Sequence, residues 1–333
     1  MQKAQTAPST ASWSLWLNRR RRGLAMPRLL AFLLLVTAVL PLFVQNDYVM
    51  NLLISILFAG AQAMAFDFTA GFINAVNFGF AAFVGIGAYT AAVLAVKLGM
   101  PPWIGIPAGV VMATLVGFIT GILTLRQRGI YVSLMAWFVG LAMTAVVTAM
   151  VNVTRGSWGL NVPPLYPTIT PRHYVYIMLV VVILLYILLR TIVRSHVGLA
   201  FRGIGQNFDA ARASGINPTR YKVLNFTLSC ACAGLIGGLY GHYLGILTPS
   251  LMGTTYTIEV LTLAYVGGRG TLWGGLLAAF LFRPVFDALN QFVEWRWIIY
   301  GIALIATMIF YPQGLIGLLT RIQTALAKFF KRS

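Results

Sequence analysis

Acidic residues are nearly missing from this chain. Six of its 333 residues are Asp or Glu, and all charged residues together reach only 9%. Soluble domains carry about a quarter, so a water-facing surface around the whole molecule is excluded. Cysteine is scarce too. Cys230 and Cys232 stand two apart in an apolar helical run, so they point to different sides, which argues for packing rather than a disulfide or metal pair. His173, His196 and His242 are scattered without ligand or triad spacing. No paired carboxylates, metal cluster or nucleophile–base set can be assembled, which leaves a membrane-embedded enzyme without candidate residues; no metal site is expected. No G-x-x-x-x-G-K-[ST] phosphate loop occurs either. "GGRGTLWGG" lacks the lysine and reads as a tight turn, so energy for any transport must come from a partner or an ion gradient.

What the chain has in quantity is apolar sequence, at 59%. Repeated runs of about 20 apolar residues mark spanning helices. The fold class is therefore an all-α polytopic membrane protein with about ten spans, expected near 28–45, 48–66, 70–97, 103–125, 130–151, 173–193, 221–247, 255–267, 271–293 and 297–319. The third carries Gly71, Asn74, Asn77 and Gly79 in its first part. The eighth is too short to cross ~30 Å at 1.5 Å per residue. Both are expected to be broken or re-entrant, with their irregular backbone satisfied by protein or a wet cavity.

Net charge is +18. The basic residues sit in short loops between apolar runs, as orientation in a bilayer requires, so nucleic acid is not an expected partner. With the N-terminus inside, the inner segments are 1–28, 66–69, 125–129, 190–222, 267–270 and 319–333. They hold nineteen of the 24 basic residues, including Arg19 to Arg22, Arg126 and Arg128. Residues 1–27 are expected to form a disordered basic segment, 28–320 the transmembrane domain and 321–333 a basic tail, with both termini cytoplasmic.

The segment 194–220 is the longest inner loop. Within it "DAARAS" (209–214) is a strong helix former. Asn207 can cap its start, Asp209 complements its dipole, Gly215 can end it and Pro218 blocks continuation. Small Ala210, Ala211 and Ala213 leave a low surface that another protein could approach. A solvated helix with no partner is the alternative.

"DAARASG" resembles the Glu-Ala-Ala-x-x-x-Gly element that ABC importer permeases present to their ATPase. The surrounding "RGIGQNFDAARASGINPTRYKVLNF" is similar to the matching segment of branched-chain amino acid ABC transporter permeases of the LivM branch. "NFGFAAFVGIGAYTAAVL" (77–94), "LRQRGIYVSLMAWFVG" (125–140), "TRGSWGL" (154–160), "TIEVLTLAYVGGRGTLWGG" (257–275) and "GIALIATMIFYPQGLIGLL" (301–319) follow in that family's order. The chain departs from the family pattern at "GFINAVNFGF" and at Arg155-Gly156-Ser157, near the expected substrate path. The resemblance implies an ATP-driven importer subunit of the bacterial inner membrane, carrying branched-chain amino acids or a related small organic solute. It further implies a homologous second permease, two ATP-binding cassette subunits that hold the ATP and magnesium, and a periplasmic solute-binding protein. This chain would bind no cofactor, and Asp209, Ala210, Ala211, Arg212 and Gly215 would couple it to the ATPase. An ion-coupled secondary transporter is the rival reading, with Glu259 as its membrane acid.

Polar residues inside the spans complete the candidates. Glu259 and Arg283 fall in neighbouring spans, where an ionised group costs at least ~2.5 kcal/mol on insertion scales. They can form a structural ion pair, contact substrate, or reach water separately. Asn74 and Asn77 stand three apart, on one face if helical. Their amides can line a substrate path or make an interhelical hydrogen bond. Gly237, Gly241 and Gly245 form a small-residue row expected at a helix contact.

Overall fold

The computed structural model describes residues 28–44, 46–124 and 130–288, together with 298–299, 301–302, 304–305, 309 and 314–317. Arg19 to Arg22, Arg126, Arg128, the tail 321–333 and most of the expected tenth span lie outside the described residues. The helices are α1 (Arg28–Phe43), α2 (Asp47–Ala70), α3 (Phe80–Leu98), α4 (Pro102–Thr124), α5 (Ile130–Ala149), a single turn α6 (Val151–Thr154), α7 (Pro171–Arg194), α8 (His196–Gln206), α9 (Phe208–Ala213), α10 (Pro218–Leu244), α11 (Thr254–Gly268) and α12 (Gly274–Ala288). Two short antiparallel strands, β1 (Leu160–Asn161) and β2 (Ile246–Leu247), pair Leu160 with Leu247.

Among the described residues six helices, α2, α3, α4, α5, α7 and α10, are long and apolar enough to cross a membrane. In hydrocarbon only a helix satisfies all its backbone groups within itself, so apolar runs of this length fold as helices. α11, which has described residues beyond both its ends, is shorter. At 15 residues, α11 rises about 22 Å, less than a full hydrocarbon thickness. The expected third span divides as its glycines indicate, but further along. α2 runs on to Ala70, residues 71–79 form an irregular link, and α3 begins only at Phe80. The expected inner loop at 66–69 is therefore corrected: these residues are the last buried turn of α2.

α10 packs between α3 and α4, and glycine makes the contact close. A β-carbon on Gly237 would run into the Val84 carbonyl, and one on Gly234 into the Ala113 side chain. With lipid on the outside there is little hydrophobic gain from helix association, so tight backbone packing and buried polar bonds must supply it. Phe83 and Phe226 meet edge to face at 5.7 Å beside these glycines. Across the other side of α10, Asn225 Nδ2 donates to the Phe68 carbonyl at 3.0 Å and Ser229 Oγ to the Ala65 carbonyl at 2.7 Å. Both cysteines are buried and free.

The expected glycine row needs one correction. Gly237 and Gly241 face α3, but Gly245 has φ +73, caps α10 and has no neighbour where a side chain would stand. We expect Gly237→Leu to push α3 from α10 and cost about 1–3 kcal/mol. Thermal unfolding of the purified protein in detergent reads this out, and an unchanged midpoint would refute the close-contact role.

One end of the bundle gathers the 71–72 link, Gly205 of α8 and the turn after α11. The opposite end holds the β1–β2 pair, with Tyr174 Oη donating to the His242 carbonyl at 2.9 Å and His242 Nδ1 2.7 Å from the Pro163 carbonyl. At the start of α7, His173 forms a capping box with Thr170.

Candidate functional site

Two arrangements hold the polar residues. The first is a helical elbow at the end of the bundle. α7 ends at Ser195, whose extended backbone (ψ 174) turns the chain into α8. The segment expected as an open loop with one short helix is thus mostly helical. α8 is amphipathic, and its buried Phe201 meets Phe68 edge to face at 5.7 Å. Asn207 then breaks the helix. Its Oδ1 accepts from both Asp209 N and Ala210 N at 3.0 Å, which starts α9. Gly215, at φ +82, ends it while its N–H donates to the Arg212 carbonyl.

Asp209, Ala210, Arg212, Ala213 and Gly215 are exposed on α9 and its cap. Ala211 differs from the sequence expectation: it is buried against its own chain, 5% exposed, and so is packed rather than presented. Lys222 at the start of α10 lies over the Phe208 ring at 4.8 Å, and Arg202 of α8 over Phe72 at 5.5 Å. These cation–π contacts tie the elbow to the bundle.

The second arrangement is a cleft at the middle of α2. Ser55, Phe58, Ala59 and Gln62 of α2 line it, with Ala81 and Val84 of α3, Tyr240 of α10, Leu251, Tyr256, Glu259 and Val260 on the α11 side, and Arg283 of α12. Its free interior is about 30 Å³, room for about one water. Glu259 Oε1 accepts from Arg283 Nη1, and Arg283 Nε lies 3.6 Å from Asp287 Oδ1 one turn on. Two helix starts converge beside the cleft. Ala81 N donates to Thr257 Oγ1 at 3.1 Å, and Trp137 Nε1 donates to Thr254 Oγ1 at 2.8 Å. The threonines that open α11 therefore fix it against α3 and α5.

Asn74 and Asn77 do not reach this cleft. The helical spacing assumed for them fails because the link is not helical. Asn74 sits at φ +65, in the left-handed region, and is exposed. Asn77 is buried, but its Oδ1 accepts from Gly79 N at 3.0 Å, so it shapes the entry to α3 rather than bonding to another helix.

Asp67 was hidden from sequence reasoning. It is 1% exposed. Its Oδ1 accepts from Gly270 N at 2.8 Å, and its Oδ2 from Thr271 N at 3.1 Å and Leu272 N at 3.0 Å. One carboxylate thus holds the turn between α11 and α12. That turn is the glycine-rich stretch read above as tight, and it carries Gly270 at φ +77 and Leu272 at φ +65. The available signal was an acid four residues before the helix-ending Gly71. Among the described residues no group of three or more His, Cys, Asp or Glu side chains is placed to hold a metal.

A bundle of spanning helices, interrupted at mid-depth around a charged cleft and carrying a capped polar helix at one end, defines a multi-pass membrane permease. Residues 48–308 match the family described as branched-chain amino acid transport system / permease component, and the chain belongs to that family. The high-affinity branched-chain amino acid transport system permease protein LivM of Escherichia coli K12 is 28% identical over 72% of this chain and 63% of its own length. The LivH permease of the corresponding system of Salmonella typhimurium is 25% identical over 77% of this chain and 90% of its own length. The fructose import permease protein FrcC of Rhizobium meliloti is 24% identical over 63% of this chain and 62% of its own. The chain thus spans a little under two thirds of the LivM relatives it matches. No solved structure matches it.

Proposed function

We propose that this chain is the membrane subunit of an ATP-driven importer that carries branched-chain amino acids across the inner membrane. A second homologous permease would sit beside it, two ATPase subunits would bind ATP and magnesium on the inner side, and a periplasmic receptor would deliver the solute. The observation that carries this reading is the elbow. α9 is capped at both ends, exposes Asp209, Ala210 and Arg212, and stands on α8, whose buried face packs against α2. A push on α9 is therefore passed to the helices that line the cleft. Both termini would be cytoplasmic, on the same side as the elbow.

The choice of amino acids rests on the LivM and LivH relatives. FrcC, named for fructose, shows that solutes differ between similar permeases, so solute must be measured. Purification of the tagged chain from its native membrane, followed by reconstitution, tests the reading. ATPase subunits should co-purify, and leucine uptake should require ATP and the receptor. Uptake by this chain alone, driven by a proton or sodium gradient, would establish the secondary-transporter alternative instead.

A further inference from the structure

The cleft explains more than a packing defect would. Its charged residues stand at mid-depth: residues 55–62 are the middle of the 24-residue α2. Ionisable groups at that depth are costly and mark solute paths, and discontinuous helices at the midplane place binding sites there. Glu259 is 7% exposed and is held by Arg283 from the neighbouring α12. Phe58, Val84, Leu251 and Val260 supply an apolar wall next to the pair. The contact of Glu259 with Arg283 joins α11 to α12, so it also holds the cleft shut.

We propose that this cleft is the closed form of a substrate station and that Glu259 and Arg283 are its recognition groups for a zwitterion, an inference that rests on the importer reading. When the cleft opens, the pair separates. Glu259 then accepts the ammonium of an α-amino acid, Arg283 takes its carboxylate, and the aliphatic side chain lies on the apolar wall. The exchange conserves charge. Each buried ion keeps an opposite partner, so neither is left alone in a low-dielectric site, which is the costly outcome. A 2-oxo acid lacks the ammonium and an alkyl amine lacks the carboxylate. The first would strand Glu259 and the second would leave Arg283 without the carboxylate it exchanges for Glu259, with only its looser contact to Asp287, so the site favours a neutral molecule that carries both charges. Net neutrality without charges, as in a sugar, would not part the pair.

The test uses the full complex in liposomes with two readouts. One is uptake of radiolabelled L-leucine. The other is the rate at which a methanethiosulfonate reagent modifies a cysteine placed at Ala81, which lines the cleft. Leucine should slow that modification, while 4-methyl-2-oxopentanoate and isopentylamine at equal concentration should not. Glu259→Gln and Arg283→Gln should each abolish the protection and lower leucine uptake by about tenfold or more. Absence of leucine protection in the otherwise unaltered protein overturns the proposal. So does wild-type protection in either neutral variant. If wild type shows protection without ATP-dependent uptake, the importer reading falls and the station stands. Should the single variants fail to assemble, the exchange E259R/R283E keeps an ion pair. Restored assembly with protection still lost supports recognition; restored protection shows a merely structural pair and overturns it.

Discussion

Asp67→Ala should destabilise the protein by about 3–5 kcal/mol, a larger loss of stability than that expected of Gly237→Leu. The carboxylate accepts three backbone N–H groups from Gly270, Thr271 and Leu272. Leu272 is fully buried while Gly270 and Thr271 are half-buried, so water restores only part of what the carboxylate supplies, and each orphaned donor costs ~1–3 kcal/mol. In detergent the unfolding midpoint should fall on the order of 10 °C. Asp67→Asn should fall between wild type and alanine. Its carbonyl can keep the two donors that meet Oδ2, while its amide nitrogen has nothing to offer the third N–H. Equal midpoints for all three proteins would show that the α11–α12 turn holds its shape without Asp67. The link to function is direct, since the same turn sets where α11 ends and α12 starts, and these carry Glu259 and Arg283.

The second large effect concerns transport rather than stability. Ala210→Trp should leave the unfolding midpoint within about 2 °C of wild type, because Ala210 is exposed and its helix is capped by Asn207 and Gly215. Leucine uptake should nonetheless fall by about tenfold or more, with ATP hydrolysis no longer linked to it, as a bulky ring blocks close approach of the ATPase. Ala211→Glu makes the contrasting control. Ala211 is buried, so a carboxylate there damages packing and lowers the midpoint itself. Measuring uptake and stability on both variants separates a docking surface from a packing position. Normal uptake by Ala210→Trp would remove α9 from the coupling path.

The candidate site was only partly legible in the sequence, and the reasons differ by residue. The α9 helix could be read because its signals are local. Asn207, Asp209 and Gly215 act within a few residues of one another. Glu259 and Arg283 stood out because charge is rare in apolar runs. α8 is not legible because it carries three glycines, Gly198, Gly203 and Gly205, and draws its stability from Phe201 packing on Phe68, a partner far away in sequence. The pairing of Asn74 with Asn77 failed because a three-residue spacing has meaning only inside a helix, and Gly71 and Gly79 bracket an irregular link. Asp67 falls in the expected inner segment 66–69, because the apolar run breaks at this acid. Its donors lie more than 200 residues on.

The apolar runs, the caps and the distribution of basic residues determined by themselves that this is a multi-pass helical membrane protein with a polar helix between α7 and α10. These features depend on hydrophobic length and on hydrogen bonds between near neighbours, both of which are written along the chain. Tertiary structure alone decided which way α2 to α5 and α10 face, because helices apolar on every side carry no stripe that marks the buried face. It also decided that a carboxylate on α2 grips the α11–α12 turn and that the cleft forms where α3 and α11 begin. Those outcomes follow from how closely glycine lets backbones approach, and that is a property of packed pairs rather than of any one segment.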